Sequence, residues 1–299
     1  MAGRSVNSIN RKGILLAGGS GTRLWPLTAA ISKQLLPIWD KPTVYYPLAT
    51  LMMAGIREFL VISTKRDLPQ FRELLGDGSR FGIKIDYALQ NRPNGIAEAL
   101  LIAEDFIDNH PLALILGDNI FHGSEIKKIV RVACESQHTS IIACPVADPE
   151  RYGVVSFDIN GLAHEIIEKP QQPKSRYAVT GLYFYDSTAS ARAKKLKPSN
   201  RGELEITDLN NTYLKDQLLR VHCLTEDVTW LDTGTNYSFL QASQVVEMIQ
   251  NRQGLLIGSP ELTALENGWI TKLDIENVVS KYPNSAYSVA LTEACKSID

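Results

Sequence analysis

The segment KGILLAGGSGTRLWPLT, residues 12–28, decides the fold. Lys12–Ala17 is a short apolar run, the pattern of a strand buried on both faces. It leads directly into Gly18, Gly19, Ser20, Gly21, Thr22 and Arg23. Three glycines within four positions permit positive φ and close approach of the backbone to a ligand. Successive backbone N–H groups can then face phosphate oxygens, and Arg23 adds a fixed positive charge. No Gly-Lys-Ser/Thr closes the loop, so it is not a Walker A motif. Nor is it a dinucleotide fingerprint. Leu24 stands where the last glycine would fall, and Pro26 and Pro37 interrupt the helix a dehydrogenase would need. Taken alone, such a loop serves equally well as a tight turn after a strand.

Working outward, the pattern predicts a helix over Pro42–Ala54 closed by Gly55 and a strand over Phe59–Ser63. A helix over Pro69–Leu75, a strand over Ile83–Leu89, a helix over Ile96–Phe106 and a strand over Leu112–Leu116 follow. Short apolar strands alternating with helices predict a mostly parallel sheet covered on both faces. Beyond Ser140 strands predominate, at Ile141–Val146, Val154–Phe157, Ala163–Glu168, Val179–Tyr185 and Leu219–Leu224, which predicts antiparallel additions. Helices are expected over Glu203–Leu214 and Asn236–Asn251, then over Pro260–Asn267, after an Asp274 cap, and over Ser285–Cys295. The fold class is therefore α/β, Rossmann-like, with a C-terminal helical subdomain. The expected division is an N-terminal extension (1–11), a catalytic body (12–251, its halves meeting near 140) and a helical segment (252–299).

The chain has 299 residues, a formal net charge of −2 and 44% hydrophobic residues, which fits a globular protein and gives no basic footprint for nucleic acid. No apolar stretch approaches the roughly 20 residues that span a bilayer. Met1–Asn10 lacks the apolar core of a signal peptide. Cys134, Cys144, Cys223 and Cys295 are far apart, without CxxC spacing, and the five histidines are scattered. Neither a disulfide framework nor a zinc site is expected, and a reducing, cytoplasmic setting is.

Several polar residues sit where strands end. Asp118 follows Leu112–Leu116, and Asp232 lies in WLDTGT, residues 230–235. An acid at the carboxyl end of a central strand can hold a hard cation, although Asp beside Gly is more often a turn former. Glu168-Lys169-Pro170 ends another strand. A glutamate can accept from two sugar hydroxyls and a lysine can balance a phosphate, yet such pairs are most often solvated. Gln90 and Gly95 flank a turn, where an amide can pair with a pyrimidine edge. Glu98 has no assignable role and is expected to face solvent.

GGSGTRLWPLT followed by SKQLLPIWDKP (residues 32–42) resembles the signature of the sugar-nucleotide pyrophosphorylases, which join a nucleoside triphosphate to a sugar 1-phosphate. LGDNIF, ERYGVV, IIEKP, AVTGLYFYD, GELEITD, WLDTGT and the RQG of Arg252–Gly254 extend the resemblance, which runs from about Lys12 to the C-terminus. It is densest with the branch that uses dTTP and α-D-glucose 1-phosphate. The resemblance implies catalytic roles for Arg23, Lys33 and Asp118, and Mg²⁺ on Asp118 and Asp232. It implies nucleotide binding by Leu16, Gly18, Gly19, Gly21, Thr22, Arg23, Gln34, Gln90 and Gly95. It implies sugar-phosphate binding by Asn119, Tyr152, Gly153, Glu168, Lys169 and Val179.

By the same resemblance the product is dTDP-glucose, the first step of dTDP-deoxysugar biosynthesis, and the protein is a homotetramer under feedback by a dTDP-sugar. The neighbouring reading is a pyrophosphorylase for UTP, CTP or another sugar 1-phosphate. The distant one is a non-catalytic sensor of sugar nucleotides, which loss of Arg23, Lys33, Asp118 or Asp232 would favour; all four are present. The final segment carries Leu262, Leu265, Trp269, Ile270, Leu273, Ile275, Val278, Val279, Tyr282, Tyr287, Val289 and Leu291. So much apolar surface needs a partner, either the chain's own body or another subunit.

Overall fold

A computed structural model describes residues 10–19 and 21–298. Its elements begin with β1 (Lys12–Ala17), a small ribbon of β2 (Pro37–Ile38) and β3 (Lys41–Pro42), α1 (Tyr45–Met53), β4 (Glu58–Ser63), α2 (Leu68–Leu75) and β5 (Lys84–Leu89). Next come α3 (Glu98–Ile102), α4 (Glu104–Ile107), β6 (Leu112–Leu116), β7 (Asn119–Gly123), α5 (Ile126–Glu135), β8 (Thr139–Pro145), β9 (Gly153–Phe157), β10 (Ala163–Glu168) and β11 (Tyr177–Tyr185). The remainder comprises α6 (Ala189–Ala193), α7 (Ile206–Lys215), β12 (Leu219–Cys223), β13 (Val228–Asp232), α8 (Asn236–Gln253), α9 (Pro260–Glu266), α10 (Lys272–Val279) and α11 (Ala286–Lys296).

The first half is a parallel sheet in the order β5-β4-β1-β6. From β1 the chain steps outward to β4 and β5, then returns to place β6 on the opposite side. A crevice opens at such a reversal, outside the carboxyl ends of the strands. The register pairs Leu16 with Leu116, so the glycine loop and Asp118 emerge side by side. Antiparallel additions complete the sheet. β11 pairs with β6, β8 and β9, β10 pairs with β9, and β12 joins β8 in parallel. β7 and β13 form a separate antiparallel ribbon that sets Asn119 opposite Asp232.

Alternate side chains of a strand face opposite sides of a sheet. Leu15, Ala17, Val61 and Ile115 accordingly enter one core with α1 and α5. Ile14, Leu16, Leu60, Ile62 and Leu114 enter a second core with α3 and α7. Burial on both faces explains why these strands read as continuous apolar runs.

Several boundaries differ from the sequence reading. The first helix starts at Tyr45, because Pro42 belongs to the β2–β3 ribbon. The helix expected over Ile96–Phe106 breaks at Ala103, whose ψ of 3° is not helical. Residues 203–205 are not helical; they border the cleft, and α7 begins at Ile206. Thr271, rather than Asp274, caps α10. The Asp274 side chain answers from the third helical position in a reciprocal capping box. The β2–β3 ribbon, α5, which is amphipathic through Ile126, Val130 and Ala133, α6 and the β7–β13 ribbon were not anticipated.

At the N-terminal end, residues 1–9 lie outside the described part. Arg11, assigned to the extension, is 3% exposed. Its guanidinium donates to the carbonyls of Cys134, Leu112, Tyr185 and Ser136, tying the ends of β6, β11 and α5 together. At the other end, α9 packs on α1 through Ala264, and Asn267 Nδ2 donates to Met52 O at 2.9 Å. Leu256, Ile275, Leu291 and Cys295 form a small core of their own. Much of the terminal apolar surface thus finds its partner within the chain. The four cysteines are free, three of them buried. No described helix is long and apolar enough to cross a membrane.

Candidate active site

A cleft of about 610 Å³ opens at the reversal between β1 and β6 and runs across to β9, β10 and β11. Every residue expected to bind or react lines it except Gly21 and Thr22. Those two build the loop from behind. Gly21 adopts φ 61°, and a Cβ there would meet the Thr28 side chain at 2.8 Å. Thr22 opens the short 3-10 turn Thr22–Leu24 that turns Arg23 toward the cleft.

On the nucleotide side, Gln34 braces the loop. Its Nε2 donates to Gly18 O at 3.1 Å while its Oε1 accepts from Ser32 Oγ. Gln90 is 5% exposed, and its Oε1 lies where a Cβ on Gly18 would fall. Only glycine at position 18 leaves room for it. Gly95 has φ 104°, and a Cβ there would strike the Leu204 backbone at 2.3 Å. Leu204 N donates to Asn94 O, and Ala97 N to Leu204 O. The turn carrying Gly95 is thereby clamped to the 200–205 segment. Glu98 does not simply face solvent. It is half-buried and accepts from Gln90 Nε2 at 2.8 Å and from Asn94 Nδ2 at 2.7 Å.

At the centre, Lys33 Nζ pairs with Asp118 Oδ2. Burial alone would raise the Asp118 carboxyl, but Lys33 and the amide of Asn119 more than offset this and hold it below the usual range. Asp232 behaves in the opposite way. Burial and the charge of Asp118 push it up to about 6, against Lys33, Arg23 and Arg151. Glycine at 234 lets Arg23 and Asp232 converge, since a Cβ there would lie 3.3 Å from Arg23 Nη2 and 3.1 Å from Asp232 Oδ2. Asn119 is committed to holding the centre. Its Oδ1 accepts from Trp230 Nε1 (2.7 Å) and Gly181 N (3.0 Å), and its Nδ2 donates to Asp118 Oδ1.

Two carboxylates, one made harder to ionise by burial and by the charge of the other, form a place that a divalent cation would relieve. Among the described residues no cluster of three or more His, Cys, Asp or Glu provides an all-protein cage. That donor set suits Mg²⁺, which takes one or two carboxylates and completes its shell with water and phosphate.

On the far side, Glu168 Oε2 accepts from Thr207 Oγ1 at 2.7 Å, and Lys169 Nζ and Arg201 Nη2 approach Glu168 Oε1 at 3.6 and 3.5 Å. Lys169 holds φ 45°, rare for a non-glycine residue and contrary to the extended backbone normal before proline. A hydrogen bond from its N–H to Tyr152 O, 2.9 Å, maintains it. Such local strain is typical of a functional turn. Tyr152 packs on Trp230 with ring centroids 5.1 Å apart. A Cβ on Gly153 would crowd Thr207 Oγ1 and Glu168 Oε2. Val179 lies in the floor.

The sequence reading missed Arg151, Arg201, Thr207 and Trp230 as lining residues. All four lie in or beside segments it had noted: ERYGVV, GELEITD and WLDTGT. What it lacked was any signal of which side chains in those segments face inward.

Comparison with known proteins shows the family and the fold. The nucleotidyl transferase family model matches residues 12–248. The chain is 53% identical over 277 residues to a glucose-1-phosphate thymidylyltransferase of Neisseria gonorrhoeae, covering 92% of this chain and 96% of that one. It is 50% identical over 287 residues to one of Xanthomonas campestris pv. campestris, covering 96% and 97%. A Bacillus anthracis structure solved in complex with sucrose superimposes with a TM-score of 0.73 at 40% identity, covering 79% of this chain and 94% of that one.

Proposed function

The chain belongs to the nucleotidyl transferase family, and from that premise we propose that its activity is glucose-1-phosphate thymidylyl transfer. It condenses dTTP with α-D-glucose 1-phosphate to give dTDP-glucose and pyrophosphate. One observation carries this reading. The glycine loop with Arg23, the Lys33–Asp118–Asp232 group and the Glu168–Lys169 turn all line one cleft, at the reversal of the sheet. Relatives bearing that activity's name are about half identical over nearly their whole length.

The reaction is a direct in-line displacement. An oxygen of the sugar phosphate bonds to the α-phosphorus of dTTP, and the bond to the bridging oxygen of pyrophosphate breaks. A phosphate monoester is largely dianionic near neutral pH, with its second pKa about 6, so no general base is needed. Catalysis comes from alignment and charge neutralisation. Arg23 and the N–H groups of the Gly18–Gly19 turn hold the β and γ phosphates. Lys169 holds the incoming phosphate, with Arg201 as a second cation nearby. Lys33 stabilises the charge that develops on the transferred group. Asp118 and Asp232 would hold Mg²⁺, which would supply positive charge against the reacting phosphates. Gln90 and Gly95 seat the base, and Glu168 the sugar hydroxyls.

Pyrophosphate release measured with dTTP, UTP and CTP side by side, with and without glucose 1-phosphate, tests the assignment. Release from dTTP that does not depend on glucose 1-phosphate would overturn it. Within that assay Lys169→Ala weakens glucose 1-phosphate about ten- to a hundred-fold, the worth of a charge-assisted contact, and leaves dTTP nearly untouched. Titration calorimetry of each substrate checks this. A selective loss of dTTP affinity would mean the two halves of the cleft are exchanged.

The protein acts in the cytoplasm as a homotetramer restrained by a dTDP-sugar. Its C-terminal helices contribute the contact. Although α9 is bound to the body, Leu273 on α10, Tyr282 in the turn after it and Val289 on α11 are 64%, 72% and 53% exposed. Leu273→Glu combined with Tyr282→Glu is expected to lower the mass seen by light scattering while turnover persists. An unchanged tetramer would remove this face from the interface.

A further inference from the structure

Glu98 opens α3 beside the nucleotide end of the cleft, and its two carboxylate oxygens are both used. Oε1 accepts from Asn94 Nδ2 and Oε2 from Gln90 Nε2. A carboxylate only accepts, so the Gln90 amide has a single favourable orientation, with its NH₂ toward Glu98. Its Oε1 is then turned away, against Gly18 in the cleft wall, and no donor among the described residues reaches it. The second Nε2 hydrogen has only a long approach to Gly95 O, 3.5 Å, weaker than a normal bond. The edge that Gln90 offers the cleft is therefore an acceptor beside a donor.

Resting on the thymidylyl-transfer reading above, we propose that Glu98 is a positioning residue that sets base specificity by locking the orientation of the Gln90 amide. An acceptor beside a donor matches the N3–H and adjacent carbonyl of thymine or uracil. Cytosine offers the reverse pattern at the same edge, a bare N3 beside an amino group. Pairing with cytosine would require the Gln90 amide to flip, which would set its carbonyl oxygen against the Glu98 carboxylate. Leaving a buried polar group opposed in this way is more costly than losing a solvent-exposed contact. Glu98 thus rejects cytosine nucleotides without touching the base. A glutamine at 98 would not impose this, because its own amide rotates to accept or donate as Gln90 requires.

The test compares kcat/KM for dTTP and dCTP in the wild type, Glu98→Gln and Glu98→Ala, with thermal melts to confirm folding. In Glu98→Gln the dTTP-to-dCTP ratio falls by about tenfold or more, while KM for glucose 1-phosphate stays put. Glu98→Ala moves the ratio the same way. A ratio unchanged within about twofold in a folded variant would overturn the proposal. Binding of dTMP and dCMP to the wild type by calorimetry decides the matter even if a variant fails to fold, since a preference for dCMP would refute the lock. A wild type that favours UTP over dTTP would remove the thymidylyl assignment and leave the lock standing.

Discussion

Asp118→Asn and Asp232→Asn each lose turnover by about a hundredfold or more, yet they shift the stability of the metal-free protein in opposite directions. The loss has a common cause: an amide keeps the shape of the side chain but is a poor ligand for a hard cation, and electrostatic stabilisers of this kind are worth about 10²–10³ in rate. The stability effects differ because the two carboxyls sit in different fields. Asp118 is the ionised partner of Lys33, so its amide breaks the ion pair of a mostly buried ammonium and lowers stability. Asp232 is held up to about 6 from an ordinary 3.8. Its folded form binds a proton more tightly than the unfolded chain does. Stability from that proton is complete below about pH 4 and lost as pH rises through about 6. At neutral pH its ionised form therefore costs the fold on the order of 2–3 kcal/mol, which Asp232→Asn restores.

The same shift makes metal binding dependent on pH. Below about 6 the cation must displace a proton from Asp232, so apparent Mg²⁺ affinity falls nearly tenfold for each unit of pH, and above that value it levels off. Thermal melts of the wild type and both variants, with and without Mg²⁺ at about pH 5 and about pH 7.5, separate these effects. If Asp232→Asn turns over normally at limiting Mg²⁺, Asp232 is not a ligand.

Lys33→Ala carries the second large effect. It removes the only charge paired with Asp118 among the described residues and leaves two facing carboxyls. Breaking a buried pair from one side costs about 3–5 kcal/mol when burial is complete. Lys33 retains 17% side-chain exposure, so the lower end is expected. Turnover falls with it, because the developing charge on the transferred phosphoryl group loses its stabiliser. Added Mg²⁺ stabilises Lys33→Ala more than the wild type, since the cation replaces the missing charge. Equal Mg²⁺-induced shifts in melting temperature for the two proteins would show that the cation and Lys33 do not act on the same carboxyls.

The parallel half of the fold was legible because strands buried on both faces must be apolar throughout, and glycines end them where a ligand can approach. Arg23, Lys33, Asp118 and Asp232 were legible through their place in recognisable motifs. The helix α5 was overlooked because basic residues separate its apolar positions, and β7 and β13 because each is a short strand running into or out of a glycine turn. The burial of Arg11 was not legible for a different reason: nothing local distinguishes an arginine in a loose end from one whose guanidinium donates to four carbonyls.

By itself the sequence determined the α/β class and most of the strands and helices, and its motifs, through their resemblance to the sugar-nucleotide pyrophosphorylases, pointed to residues for a phosphate, a metal and a sugar. The class and the elements follow from local chemistry, periodicity and glycine freedom. Only the tertiary structure decided which of those residues face one cleft and in what state. Lys33 and Asp118 are 85 positions apart and Gln90 and Glu98 only eight, yet neither pairing is written in spacing. Burial pushes both aspartates up, yet Lys33 and Asn119 hold Asp118 low while the charge of Asp118 helps to hold Asp232 high. A carboxylate expected to face solvent instead accepts from the amides of Gln90 and Asn94. Such properties belong to the field and packing that the whole fold creates around a residue, which no single stretch of chain contains.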